Sequence, residues 1–224
     1  MSRWRRRRCD ATCSASCRAT DQSPPGSRTS PGLDLYWIPL GAGAHVVRIS
    51  GRIYEALSAL IQRRPRRDLY HSALVATTTD GRFVIEMAPI PDLRGREDRG
   101  VVAEGPVGTR WARRCRVLRY EVRRWCEGVI PDISYAVASP VCVTDDAAVT
   151  RHVLDLVPLV PTMVWGRDEL GVRDMWNSNS VIAWVLTRAG LGTIADGPPR
   201  SGRAPGWHAG VVAAQLFRPA TRDP

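Results

Sequence analysis

The stretch Leu69-Tyr70-His71-Ser72-Ala73-Leu74-Val75-Ala76-Thr77, then Asp80-Gly81, then Arg82-Phe83-Val84-Ile85-Glu86-Met87, reads as a β-hairpin. Both arms are apolar and long enough for one strand each, and Asp-Gly is a tight-turn pair. The flanking segments decide what this hairpin belongs to. Residues 35–38, Leu-Tyr-Trp-Ile, make a candidate first strand ended by the Gly41-Ala42-Gly43 turn, and residues 54–61 have helical spacing closed by Pro65. Downstream, residues 101–107, 115–122 and 135–143 offer short strands, and residues 145–157 a helix capped by Thr144 or Asp145. Residues 178–189 form a helix ended by Gly190, residues 197–206 a loop, and residues 209–216 a last strand. Hairpin strands beside separate helices predict an α+β fold with a small antiparallel sheet, not a doubly wound parallel sheet.

A chain of 224 residues, 44% hydrophobic with eight Trp, suits one domain with a sizeable core and a tail. Residues 1–32 are rich in Arg, Ser, Pro and Gly and nearly free of large aliphatics, so they read as a disordered basic leader. The domain is expected over 33–217 and a disordered tail over 218–224. No run of about 18 apolar residues occurs, so no membrane span is expected. The N-terminal arginines are not followed by an apolar region of signal-peptide type, which makes the expected location cytoplasmic.

The net charge of +10 raises nucleic-acid binding as a function. Its distribution argues against that: residues 1–30 hold seven Arg against Asp10 and Asp21, so half of the excess lies in the leader. Cys9, Cys13 and Cys17 recur every four residues but have no fourth ligand nearby, and Cys115, Cys126 and Cys142 read as small packing residues kept reduced. The four histidines form no HExxH-like pair, so neither a metal nor another cofactor is expected. Gly41-Ala42-Gly43-Ala44-His45 lacks the Gly and the Lys-Ser/Thr of a phosphate loop, and His152 reads as a surface residue.

All 32 basic residues are arginine, and Asn occurs only as Asn177 and Asn179, around Ser178. In a chain whose codon usage avoids Lys and Asn, two such residues so close together point to a chemical requirement. The segment is Trp176-Asn177-Ser178-Asn179-Ser180-Val181, at the start of the expected helix. Val181, Ile182 and Val185 share a face with Ser178 and draw it towards the core. A helix N-terminus offers unpaired N–H groups and partial positive charge, which suits a nucleophile or an oxyanion; Asn and Ser are equally the favoured N-caps. The candidate base is His71, on the first hairpin strand beside Ala73 and Val75. Glu86 on the return strand can orient it if the register places the two on one face within two positions. His71 reads equally well as a structural histidine. Trp176, Ser180 and His208, in Ala204-Pro205-Gly206-Trp207-His208, are further candidates for the same cleft.

These residues resemble the circularly permuted papain-like superfamily, which includes lecithin-retinol-acyltransferase-like and permuted NlpC-like proteins, in an actinobacterial type. The resemblance rests on three short motifs in order: His71-Ser72-Ala73-Leu74-Val75, Asp80-Gly81-Arg82-Phe83-Val84-Ile85-Glu86, and Asn177-Ser178-Asn179-Ser180-Val181. It implies a papain-like sheet packed on a helix that carries the nucleophile at its N-terminus. It also implies a hydrolase or acyltransferase acting on an amide, ester or thioester of a small-molecule or peptide substrate. Ser178 stands where the family has cysteine and would attack; His71 would take its proton, Glu86 would orient His71, and Asn177 or Asn179 would hold the oxyanion. The alternatives are a catalytically inactive papain-like module that binds a peptide, lipid or protein, and an Arg-rich nucleic-acid-associated protein. A Ser178–His71 contact at an open cleft separates the first two; clustering of arginines on one face marks the third.

Overall fold

The computed structural model describes residues 28, 30–40, 68–90, 99–130, 132–192, 197–199 and 202–216. The expected helix over 54–61, the Gly41–His45 loop, Cys9, Cys13, Cys17 and the tail over 218–224 lie outside the described residues, as does the leader except for 28 and 30–32.

Six strands, β1 (Gly32–Pro39), β2 (Tyr70–Thr78), β3 (Gly81–Pro89), β4 (Val101–Pro106), β5 (Arg119–Cys126) and β6 (Val141–Thr144), build one sheet in the order β4-β5-β3-β2-β1-β6. Every neighbouring pair is antiparallel. The α-helices among the described residues are α1 (Ala147–Leu156), α2 (Ser178–Arg188) and α3 (Trp207–Leu216). The fold is α+β.

The alternation of each strand divides its side chains between two faces. Leu33, Leu35 and Trp37 of β1, Leu74 and Ala76 of β2, Ile85 and Met87 of β3, and Tyr120 and Val122 of β5 fall on one face and form the main core with the helices. Helix α2 is buried continuously from Asn179 to Leu186 between the sheet, α1 and α3. The opposite face carries a smaller cluster of Tyr36, Ile38, Ala73, Val75 and Val84 under Ile130.

The hairpin forms with its turn one residue earlier than expected. Thr78 pairs with Gly81, so Thr79 and Asp80 make the turn and Gly81 takes a φ of +128°. The Thr78 hydroxyl accepts the Asp80 N–H at 3.1 Å and fixes that turn. Gly32 already belongs to β1, and Arg28 forms an ion pair of 2.9 Å with the buried Asp34, so the expected boundary at 32 falls inside ordered contacts.

Four other expectations change. Residues 115–118 do not extend a strand; Arg110–Arg114 and Arg116–Leu118 are 3-10 turns, and β5 starts at Arg119. Residues 135–140 are turn and loop ahead of the short β6. The cap of α1 is Asp146, whose carboxylate accepts the Ala148 and Val149 N–H groups at 2.7 and 3.1 Å. Cys115, Cys126 and Cys142 are exposed and outside any disulfide, not buried packing residues.

The largest difference lies at 209–216, expected as a strand and found within helix α3. Its side chains are small where it meets α2. A Cβ on Gly210 would run into the Ser180 carbonyl, so the missing side chain sets how close the helices come. The N-terminus of α3 is capped from elsewhere in the chain. Asp174 accepts the Gly206 N–H at 2.7 Å and the Ala209 N–H at 3.4 Å.

Candidate functional site

Asn177 is the N-cap of α2, with an extended backbone. Its Oδ1 accepts the Asn179 N–H at 2.9 Å, while the Ser180 hydroxyl accepts the Asn177 N–H at 2.9 Å, closing a capping box. The amide nitrogen of Asn177 donates to the Pro205 carbonyl at 2.8 Å. Asn179 is 2% exposed and uses its whole amide: Nδ2 donates to Pro205 O at 2.8 Å and Tyr70 O at 3.0 Å, and Oδ1 accepts the Ser72 hydroxyl at 2.9 Å. Ser180 donates to the Gly206 carbonyl at 2.7 Å. The motif therefore clasps the start of α2 to the start of α3 and to β2.

This explains why asparagine is needed twice. Each side chain must donate and accept at once, which aspartate and aliphatic residues cannot do. The requirement legible in the composition is met by architecture. Trp176 belongs to the core at 1% exposure, and His208 lies exposed on the first turn of α3. Among the described residues the half-buried Ser178 hydroxyl has no hydrogen-bond partner.

The expected base lies on the other side of the sheet. Ser72 reaches Asn179 on the α2 side, so His71, its neighbour along β2, points to the opposite face, across from Ile38. Burial holds the His71 imidazole below its ordinary value, with the Asp132 carboxylate pulling it back up. The β2–β3 register puts Glu86 on the same face as His71 and two positions along. Glu86, however, is held by Arg123, whose Nη1 donates at 2.9 Å. Burial raises the Glu86 carboxyl and that guanidinium opposes the shift. Arg123 also meets Glu121 at 3.0 Å, and Glu121 meets Arg99 at 3.2 Å. Glu86 thus ends a chain of buried ion pairs. The structure brings Asn177, Ser178, Asn179 and Ser180 together and separates them from His71 and Glu86 by the thickness of the sheet.

A second constellation lies in the β4–β5 connection, Arg110-Trp111-Ala112-Arg113-Arg114-Cys115-Arg116-Val117-Leu118-Arg119. Backbone bonds hold it at both ends: Val107 N–H to Leu118 O at 2.9 Å and Gly108 N–H to Trp165 O at 2.9 Å. Ala112 is its buried anchor, while Trp111 stands 71% exposed with the Arg114 guanidinium 4.8 Å from the ring centroid. Arg110 pairs with Glu169 and Arg119 with Glu104. Among the described residues Arg113, Arg114 and Arg116 have no carboxylate partner. Arg113 instead donates to the Thr162 hydroxyl at 3.2 Å, across a cleft of about 370 Å³.

No family model, curated protein or solved structure matches this chain. The geometry alone therefore carries the functional argument. The sequence signal for the second constellation was five arginines and a tryptophan within ten residues. The strand-like pattern of residues 115–122 masks this shared exposure. No helix among the described residues is long and apolar enough to cross a membrane.

Proposed function

We propose that this protein is a non-catalytic binding module whose 110–119 segment docks single-stranded nucleic acid. Within this proposal the papain-like frame is an inactive version, with the family's nucleophile replaced by Ser178 and no base beside it. The observation that carries the proposal is Trp111, 71% exposed, with Arg114 over its ring and Arg113 and Arg116 without carboxylate partners alongside. An exposed aromatic face stacks a base of any identity, and guanidinium groups without a carboxylate partner take the phosphates. A duplex keeps its base faces stacked and offers none to Trp111.

The test is fluorescence anisotropy with a labelled decathymidylate at several salt concentrations. Neutralising three phosphates on a single strand gives a slope of about −2 in log K against log salt. Trp111→Ala should weaken binding by about 1–3 kcal/mol, the loss of one stacked base. Arg114→Glu with Arg116→Glu should flatten the slope. Binding to phosphatidylserine vesicles without binding to the oligonucleotide would replace this proposal with a membrane surface. Fluorophosphonate labelling of Ser178 that needs His71 would restore the enzymatic reading.

A further inference from the structure

We infer that the cleft between the 110–119 segment and residues 161–169 is a phosphomonoester subsite that takes the phosphorylated end of a bound strand, an inference that rests on the docking role given above to that segment. The cleft, about 370 Å³, sits at the low end of small-molecule sites, roughly 300–1,000 Å³, which is room for one nucleotide. Its polar lining is Arg110, Arg113, Thr162 and Glu169. Glu169 is already engaged. Arg110 meets its Oε1 through Nε and Nη2, both at 2.8 Å, and the Val164 N–H reaches its Oε2 at 2.7 Å. That pair compensates itself, so the uncompensated charge of the lining is Arg113.

Arg113 and Thr162 hold donors in reserve. The Arg113 Nη2 donates to the Thr162 hydroxyl oxygen at 3.2 Å, and among the described residues neither side chain has another partner. That bond uses one N–H of the guanidinium fork and leaves the rest, and the threonine hydroxyl still has its own proton to give. A fork beside a hydroxyl matches an oxyanion with several terminal oxygens. Both sides are tied down before a ligand arrives: the Arg119 Nε donates to the Arg113 carbonyl at 2.7 Å, and the Tyr120 hydroxyl to the carbonyl of Met163, the neighbour of Thr162, at 2.7 Å. A phosphomonoester brings three terminal oxygens and a charge of about −1.5 to −2, where an internal phosphodiester brings two oxygens and about −1. The remaining walls, Pro106, Pro161 and Met163, carry no donor side chain for a second phosphate. The cleft therefore suits the last phosphate of a strand, with the sugar against those walls, better than a run of phosphates.

The test uses the full chain and first changes only the ligand, so folding is not at issue. Decathymidylates carrying a phosphate or a hydroxyl at the 5′ end, or at the 3′ end, are compared by anisotropy with the label on the opposite end. A terminal phosphate at one of the two ends should tighten binding about tenfold or more, since a hydrogen bond to a charged group is worth a decade. Arg113→Gln and Thr162→Val should each shrink the ratio of affinities for phosphorylated and hydroxyl ends. Arg116→Gln, on the same segment but outside the cleft, should weaken both oligomers alike and keep the ratio. Equal affinity with and without the phosphate at both ends would overturn the subsite while leaving the platform standing, and a ratio untouched by Arg113→Gln and Thr162→Val would overturn its place in the cleft. If no oligomer binds, the platform fails, and thymidine 5′-monophosphate against thymidine by ligand-observed NMR still tests the cleft; equal signals there would overturn it.

Discussion

Replacing Asn179 with aspartate tests the clasp most sharply, because it changes the hydrogen-bonding inventory and almost nothing of the shape. The Asn179 side chain donates to Pro205 O and Tyr70 O and accepts from Ser72, all in a site 2% exposed. A carboxylate keeps the last bond and turns two attractive contacts into lone pairs facing carbonyl oxygens. Two bonds at about 1 kcal/mol each, plus about 1–3 kcal/mol for buried acceptors left unmet, sum to about 3–5 kcal/mol. For a domain of this size that lowers Tm by on the order of 10 °C. Burial raises the pKa of the new carboxyl, and its neutral form can donate one bond. The loss should therefore shrink as pH falls towards 5 and grow towards 8, the sign expected of a carboxyl whose folded value lies above its unfolded one. Urea denaturation at both pH values, with Asp155→Asn as a surface control, measures it. A loss below about 0.5 kcal/mol, or one independent of pH, would mean that the amide is not holding α2 to α3 and β2. Ser72→Ala should couple to Asn179→Ala in a double-mutant cycle, since both remove the bond between the Ser72 hydroxyl and Asn179.

Other expectations follow from the same contacts. Wild-type protein should remain unlabelled by a fluorophosphonate, and Ser178→Cys should give a thiol whose iodoacetamide reactivity is unchanged by His71→Ala; His71-dependent labelling would contradict the placement of His71 across the sheet. Because burial holds His71 below its ordinary value, the unfolded chain binds a proton that the folded chain refuses. Its contribution to stability is full above about pH 6.5 and is lost as pH falls towards the depressed folded value. Calorimetry should therefore show His71→Gln losing less Tm than wild type between pH 7.5 and 5.5. Gly210→Ala should destabilise by about 1–2 kcal/mol although alanine is the better helix former by about 1 kcal/mol, because the group met is the Ser180 backbone. A stabilised Gly210→Ala protein in thermal melts would show that α2 and α3 are not this close.

Much of the fold was legible because it depends on local pattern. The alternating arms on either side of Asp80-Gly81 specify a hairpin by themselves, and the run from Val181 to Leu186 bounded by Asn177 and Gly190 specifies a buried helix. The composition also singles out Asn177 and Asn179, the two asparagines of the chain. What they are required for depends on groups far along the chain, Pro205 O and Tyr70 O, which no spacing reveals. Helix α3 has no local start signal for the same reason: its cap, Asp174, lies 32 residues upstream of Gly206. The pairing of His71 with Ser178 failed on a parity that only the folded sheet settles. Whether an odd or an even residue of β2 faces α2 reverses with a shift of one residue, and Ser72, not His71, won that face through its bond to Asn179. Hydrophobic periodicity and turn residues are local properties, so they mark strands and helices before any folding is considered. Which side chains meet is fixed only on folding, because contact depends on register, sheet face and caps contributed from a distance.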